Sequence, residues 1–460
     1  MTGTEHSAPS AQDLPAADAP RPNIDLSPTD GGGVWRSYLR ALGPGLVTGA
    51  SDDDPSGIAT YAQTGARFGL GMLWAALVTF PLMAGVQEIC DRTALATGAG
   101  LGELVVRRFS PRWRAVIGVL IGLLIAANAL NISADLVAVG AGMQLLHAGR
   151  TALWALIAGV LITGLLISGS FSLIARVFKI LCVALLAYLG VLVMVNVPFG
   201  QVVLNTIVPH VQLNREYVGL LVAVLGTTIS PYLFFWQTLH RVEDMREEPA
   251  GGARPQPLRR RPRREALHKL STSRFDVISG MAFSNLVMFS VIVATAATLG
   301  AHGHHPTIGS ADQAAAALRP VAGRFASTIF ALGFIGSGML AIPVLAGAGS
   351  AAMAGLLGKS AGFSNSIRKA PVFYGLVVVG TLGGTVLSLV GLDPIRLLVL
   401  VAIVNGVAAA PFLLVVMLVS NDRAIMGEHV NGRIARALGW AATVVMASAA
   451  IALFATGVGL

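Results

Sequence analysis

Apolar stretches of about twenty residues follow one another from Tyr38 to Phe454, divided by short charged or Pro/Gly-rich punctuation. A bilayer core ~30 Å thick takes about 20 apolar residues per helical crossing, so the pattern predicts an all-α polytopic membrane protein. Eleven crossings can be marked: Tyr38 to Gln63, Met72 to Cys90, Ala115 to Leu146, Ala152 to Ser168, Leu173 to Val197, Tyr217 to Leu239, Val277 to Leu299, Phe325 to Gly349, Val372 to Val390, Leu397 to Val419 and Leu438 to Phe454. Only 12% of the 460 residues are charged, against ~25% in a soluble domain, which excludes an ordinary soluble enzyme. The 53 glycines agree, because small residues let membrane helices approach closely. Cys90 and Cys182 both lie in apolar runs, which excludes a disulfide framework and a cysteine metal site.

Charge placement sets the orientation. With the N-terminus cytoplasmic, 26 of the 32 Lys and Arg fall on that side, ten of them between Arg241 and Arg274. The other side keeps only Arg67, Arg150, Arg215, Arg319, Arg324 and Arg396. Cytoplasmic loops carry the excess of basic residues, so the chain is expected in a cell membrane with its N-terminus inside and its C-terminus outside. Most of the net charge of +9 is this bias. It implies no nucleic-acid partner, and no obligate protein partner is evident; the bilayer is the expected surrounding. The run from Arg259 to Arg264 admits contact with anionic lipid, although a solvated, flexible loop is the simpler reading. The first thirty-odd residues are polar and lack an apolar core, so they read as a disordered tail rather than a signal peptide.

Ionisable groups at membrane depth are expensive and by default mark a substrate path. Here they are few. Asp52, Asp53 and Asp54 stand in the first crossing and Asp135 in the third, while Glu88 and Asp91 are expected near a span end within reach of water. None of the nine histidines is expected in the middle of a crossing. The first crossing reads Gly49-Ala50-Ser51-Asp52-Asp53-Asp54-Pro55-Ser56-Gly57 at its centre. Proline removes a backbone donor and glycine weakens a helix, so two half-helices with an unwound middle are predicted. Asp54 is expected to cap the second half and Pro55 to open it. The sixth crossing repeats the device at Gly226-Thr227-Thr228-Ile229-Ser230-Pro231, with Ser230 as the expected cap.

Five crossings separate the two breaks, the sequence pointer to inverted repeats with a midplane site. The expected organisation is a tail (1–34), a first five-helix repeat (35–200), the start of a second (201–240), a basic cytoplasmic loop (241–275), the rest of the second repeat (276–420), and a loop with a peripheral eleventh helix (421–460). In the third crossing Asn128, Asn131 and Asp135 share one helical face, which suits a helix–helix seam and a lining of the path equally. Asn285 and Asn405 read as packing groups, and the His302-Gly303-His304-His305 cluster as a mobile loop.

The midplane ligand set is Asp54 with the hydroxyls of Ser56, Thr227, Thr228 and Ser230, plus unwound carbonyls near Gly49 to Ser51 and at Thr227. Asp53, Asn131 and Asp135 are secondary candidates. These are hard oxygen donors of net negative charge, which suits Mg2+ best because it keeps several waters and takes one or two carboxylates. Mn2+ is also tolerated, while no Met, Cys or His stands in either break to select a softer metal. The metal is expected as cargo, with no cofactor and no enzymatic activity.

The two breaks resemble those of the NRAMP divalent-metal transporters, whose broken helices carry Asp-Pro-Gly-Asn and Met-Pro-His-Asn motifs. The resemblance covers essentially the whole membrane region, including Gln87 to Glu103. In the first motif Asp54 and Pro55 match, with Ser56 and Gly57 in place of Gly and Asn. In the second only Pro231 matches; Ser230 stands where the family has its metal-ligating Met, and Tyr232 and Leu233 replace His and Asn. Gln237 stands for a second His and Ala59 for a proton-linked Glu. Thr227 falls where the family offers a backbone carbonyl to the metal. The combination is most similar to the NRAMP-related magnesium transporter branch, which implies a LeuT-type 5+5 fold and uptake of Mg2+, and also Mn2+, without proton coupling. A proton-coupled Mn2+/Fe2+ carrier is disfavoured by the missing Met and His residues. A sodium-coupled amino-acid carrier is disfavoured because three acids at the break repel a carboxylate, and a non-transporting sensor by the lack of an appended soluble domain.

Overall fold

The computed structural model describes residues 44–168, 189–190, 198–248, 255–299, 308, 313–314, 326–390 and 393–457. The expected tail, most of the fifth crossing, Cys182 and the His302–His305 cluster lie outside the described residues. Among those described the regular structure is helical. The first crossing is split into α1 (Pro44–Asp52) and α2 (Pro55–Phe68). After a short 3-10 turn come α3 (Trp74–Thr97), α4 (Leu101–Arg108), α5 (Pro111–Leu145), α6 (Thr151–Ile167) and α7 (Phe199–Ile207). The sixth crossing is split into α8 (Arg215–Thr228) and α9 (Pro231–Glu247). Five long helices follow: α10 (Arg263–Thr298), α11 (Ala326–Leu356), α12 (Pro371–Ser388), α13 (Pro394–Ser420) and α14 (Arg433–Ala455). Every expected crossing but the fifth therefore has its helix.

Three features depart from the sequence reading. The stretch 241–275, expected as a loop, continues α9 to Glu247 and is helical again from Arg263. There, polar residues replace apolar ones without any helix breaker, so the hydropathy falls while the helix goes on. Two short helices, α4 and α7, were hidden by length, since neither could span a bilayer. Glu88 and Asp91, expected within reach of water, are buried, Asp91 completely.

The same local chemistry makes both breaks. Asp54 is extended (φ −65°, ψ 168°) and its Oδ1 accepts the Gly57 amide at 2.8 Å, capping α2 with Pro55 in the first position. Ser230 is likewise extended before Pro231. Each half-helix leading into a break is pressed by a glycine against the backbone of a neighbour. A Cβ on Gly49 of α1 would lie 2.1 Å from the Gly280 carbonyl oxygen of α10. One on Gly226 of α8 would lie 2.2 Å from the Ala402 oxygen and 2.4 Å from the Gly406 nitrogen of α13. Such backbone approach is how membrane helices gain packing energy without a hydrophobic driving force between them. The broken spans are thus held in the interior, with α10 along α1 and α2, α13 along α8 and α2, α11 against α9, and α5 against α11.

Candidate functional site

At the first break the structure buries Asp52, Asp53 and Asp54, with buried Asp135 of α5 within electrostatic range of Asp54. Asp54 is buried at the start of α2; besides the Gly57 amide, its Oδ1 accepts the Ser56 hydroxyl at 2.6 Å. From the other break, the Tyr232 hydroxyl at the start of α9 reaches Asp54 Oδ2 at 3.4 Å and the Ser51 carbonyl at 3.5 Å. Tyr61 of α2 answers from its side, its hydroxyl 3.3 Å from Thr227 Oγ1. The two tyrosines tie the half-helices across the gap.

The hydroxyls of the expected ligand residues are brought close, but each gives its hydrogen to a backbone carbonyl or to Asp54. Ser51 donates to Val47 at 2.6 Å, and Thr227 and Thr228 both donate to Val224 at 3.0 Å. Ser230 does not cap α9, contrary to expectation. It donates backward to the carbonyls of Gly226 (2.8 Å) and Thr227 (2.9 Å). The reason is Pro231, which has no N–H for the carbonyl four residues earlier. Thr227 therefore keeps its carbonyl partly engaged. A hydroxyl that donates still has two lone pairs, so all five remain able to face a cation.

Asp52 and Asp53 turn to α10 instead. Ser284 Oγ lies 2.8 Å from Asp52 Oδ2 and 3.2 Å from Asp53 Oδ1. Asp135 is fully buried on α5, and neither of its carboxylate oxygens has a protein partner. It lies within electrostatic range of Asp54, and a Cβ on Gly338 of α11 would sit 3.0 Å from the Asp135 carbonyl and 3.4 Å from the Pro55 ring. Asn131 Nδ2 reaches Asn405 Oδ1 at 3.4 Å, whereas Asn128 makes the helix–helix seam by donating to the Leu345 carbonyl at 2.9 Å. Asp52 Oδ1, Asp53 Oδ2, Thr60 Oγ1, Asn131 Oδ1 and Ser133 Oγ are also buried without a protein partner. Unpaired buried charge costs several kcal/mol per ion, and a divalent cation with part of its water shell is what such oxygens can bind. No group of three or more His, Cys, Asp or Glu able to hold a metal forms among the described residues. An ion carried by one or two carboxylates, carbonyls and water needs no such cage.

A second polar layer was not foreseen. Asp91 accepts Gln237 Nε2 at 2.6 Å, Arg241 Nε at 2.7 Å and the Ser273 hydroxyl. Gln237 Oε1 accepts Thr48, and Asp276 Oδ2 accepts the Gly45 amide at 2.8 Å. This network joins α1, α3, α9 and α10. His240, expected to bound the sixth crossing, is buried in the same helix as Gln237, its ring 5.3 Å from that of Trp236. Its burial follows from α9 running two turns further than the hydropathy suggests.

Residues 45–456 match the family model for natural resistance-associated macrophage protein-like (Nramp) proteins. The chain belongs to the Nramp family. Among curated relatives, the divalent metal cation transporter MntH of Acidiphilium cryptum is 28% identical over 404 residues, covering 85% of each chain. The same-named protein of Klebsiella pneumoniae (strain MGH 78578) is 26% identical, over 89% of this chain and 92% of its own. A crystal structure of the Eremococcus coleocola manganese transporter superposes with a TM-score of 0.68 at 16% identity, covering 96% of this chain and 91% of that one. Mhp1, a nucleobase-cation-symport transporter, follows at 0.55 and 13%. The fold is the LeuT-type inverted repeat with broken first and sixth helices, as the two breaks imply.

Proposed function

We propose that this Nramp protein moves divalent cations across a cell membrane by alternating access, preferring hydrated Mg2+ and also carrying Mn2+. The observation that carries the reading is the composition of the gap between the half-helices. Asp54 is there with the Ser56 and Tyr232 hydroxyls against it, carboxylates with partnerless oxygens within electrostatic range, and Ser230 in the place of a soft ligand. Hard oxygen ligands with room for retained water favour Mg2+, and Mn2+ is compatible with them. That relatives are named as divalent metal cation and manganese transporters supports a metal cargo. Asp54 would be the charged ligand, with Ser51, Ser56, Thr227, Thr228 and Ser230 around the ion or its water shell, and Asp53, Asn131 and Asp135 shaping the field. The Lys/Arg asymmetry supports an N-terminus inside and a C-terminus outside.

The test is ion flux into liposomes holding the purified chain, comparing Mg2+, Mn2+ and Ca2+. Uptake of Mg2+ and Mn2+, abolished by Asp54→Ala while the protein stays monodisperse, is expected. Near-normal flux in that variant would move the site elsewhere, with Asp135 next. A carrier that takes Mn2+ but not Mg2+ would return the chain to the transition-metal carriers.

A further inference from the structure

The arginine run between Arg259 and Arg264 plays no part in the transport reading, yet the structure builds it with some care. Leu258–Arg260 form a 3-10 turn, and α10 begins at Arg263. Leu258 and Ala266 are buried together against Leu95 of α3 and Met245 of α9. Between them the Arg261 side chain is only 2% exposed, paired with Glu248 and Glu265 at 2.7 and 2.8 Å, and its Nε donates to the Gln256 carbonyl at 3.0 Å. Arg261 is thus an internal pin, neutralised by two glutamates. Its neighbours Arg259, Arg260, Arg263 and Arg264 are all exposed, and none has an acidic partner among the described residues.

The exposed face continues down α10. Arg264, Leu267, His268, Ser271, Arg274, Phe275 and Ile278 recur at spacings of three and four, so they form one stripe. It carries no acid. Leu267 is 57%, Phe275 50% and Ile278 41% exposed. With 36 residues, α10 reaches about 54 Å at 1.5 Å per residue, well beyond a hydrocarbon core of ~30 Å. Measured back from Thr298, the hydrocarbon boundary falls close to Ile278. Phe275 and Ile278 then meet the acyl chains and Arg274, which also pairs with Glu88 at 3.4 Å, the headgroup layer, while His268 and the arginine run stand in the ionic atmosphere beyond it.

We infer that this stripe is a docking surface for anionic phospholipid, with Arg274 at headgroup depth, the arginine run drawing the anionic surface from the ionic layer beyond it, and Phe275 and Ile278 at the acyl boundary. On the orientation expected from the Lys/Arg asymmetry it faces the cytoplasmic leaflet, where anionic lipids attract juxtamembrane basic segments. An RNA or an acidic protein would satisfy the arginines but not the apolar residues set among them at the membrane edge. The position has a consequence for transport, because the same helix flanks the first break: Asp276 holds the Gly45 amide and Gly280 abuts Gly49. The surface stands whatever metal the site carries, since its readout is lipid and not flux.

The experiment is native mass spectrometry of the full chain with mixed phosphatidylglycerol and phosphatidylcholine, comparing wild type with the variant R259Q/R260Q/R263Q/R264Q. At about fivefold per arginine at an anionic surface, falling off within a Debye length beyond it, the quadruple change should lower the phosphatidylglycerol preference severalfold. Phe275→Ser should weaken retention of both lipids without removing the preference. Thermal midpoints within error of wild type would show that these exposed changes leave the fold intact. Equal phosphatidylglycerol enrichment in wild type and the quadruple variant would overturn the inference. So would a wild type that binds a short oligonucleotide or poly-glutamate but shows no lipid preference.

Discussion

Pro231 has no amide hydrogen to give the Thr227 carbonyl, and the Ser230 hydroxyl takes that duty. A methionine there could not, because a thioether is only a weak acceptor. Ser230→Met would therefore do two things at once: free the Thr227 carbonyl toward the gap and bring a soft sulfur beside it. We expect Cd2+ and Mn2+ to bind more tightly, by about tenfold or ~1.4 kcal/mol, while Mg2+ transport weakens because the bulkier soft group displaces bound water. Isothermal calorimetry with Cd2+ measures the first effect, and an unchanged affinity would mean that Ser230 does not face the ion. At this scale the sequence was informative about identity but less so about direction. Asp54 as a cap was legible because an Asp-Pro pair leaves few other geometries. The backward turn of Ser230 was not, because a Ser-Pro pair serves either side of a break. Ser284 and Tyr61 went unnoticed, being single polar groups in apolar runs.

Among the elements, α1 and α10 carry a signal that could have been found. Gly45, Gly49 and Asp52 step along α1 as Asp276, Gly280 and Ser284 step along α10, each set about one turn apart. Two matched one-turn ladders of small and polar residues in different crossings point to parallel helices in contact, and only the pairing of the ladders needed the structure. The extent of α9 and α10 was illegible for a different reason. Hydropathy marks where the lipid ends, whereas a helix ends where its hydrogen bonds do, and Arg263 to Asp276 offers no breaker. The close crossing makes a prediction. Gly49→Ala would gain helix propensity of up to ~1 kcal/mol, yet its methyl has no room against the Gly280 backbone. Overpacking of about 1–3 kcal/mol should win and lower the thermal midpoint in detergent. Gly219→Ala on α8, where an added Cβ meets nothing within 4 Å, should hold or raise it. Equal midpoints for the two variants would mean that the α1–α10 contact is looser than described.

For the whole molecule the open matter is what drives the cargo. Moving two charges through the membrane potential supplies about 4.6 kcal/mol per 100 mV, from ~2.3 for each. At ~1.4 kcal/mol per tenfold, that sustains a gradient of roughly a thousandfold, enough for uptake without a coupled ion. Ala59 and Gln237, which stand where the family resemblance implies proton-linked residues, cannot titrate. Asp135, with both carboxylate oxygens unpartnered, is the group best placed to contradict this. Potential-driven Mg2+ entry into liposomes with no matching acidification, followed with an internal pH dye, is the expected result. Stoichiometric acidification that disappears in Asp135→Asn would restore proton coupling.

The three contacts between α1 and α10 also limit how the first half-helix can travel. A rod fastened at points one turn apart cannot slide or roll without undoing all of them together, since any smaller shift puts glycine against side chain and amide against nothing. It can peel. The fastening at Gly45, a single amide on the Asp276 carboxylate, lies furthest from the break, while the Ser284 hydroxyl grips the acids beside it. Like a zip with one end sewn shut, once Thr48 has also left Gln237 the pair can part from the Gly45 end inward and still keep the carboxylates in place. On the proposed site an opening on that side can then widen while the acids beside the break stay at fixed separation.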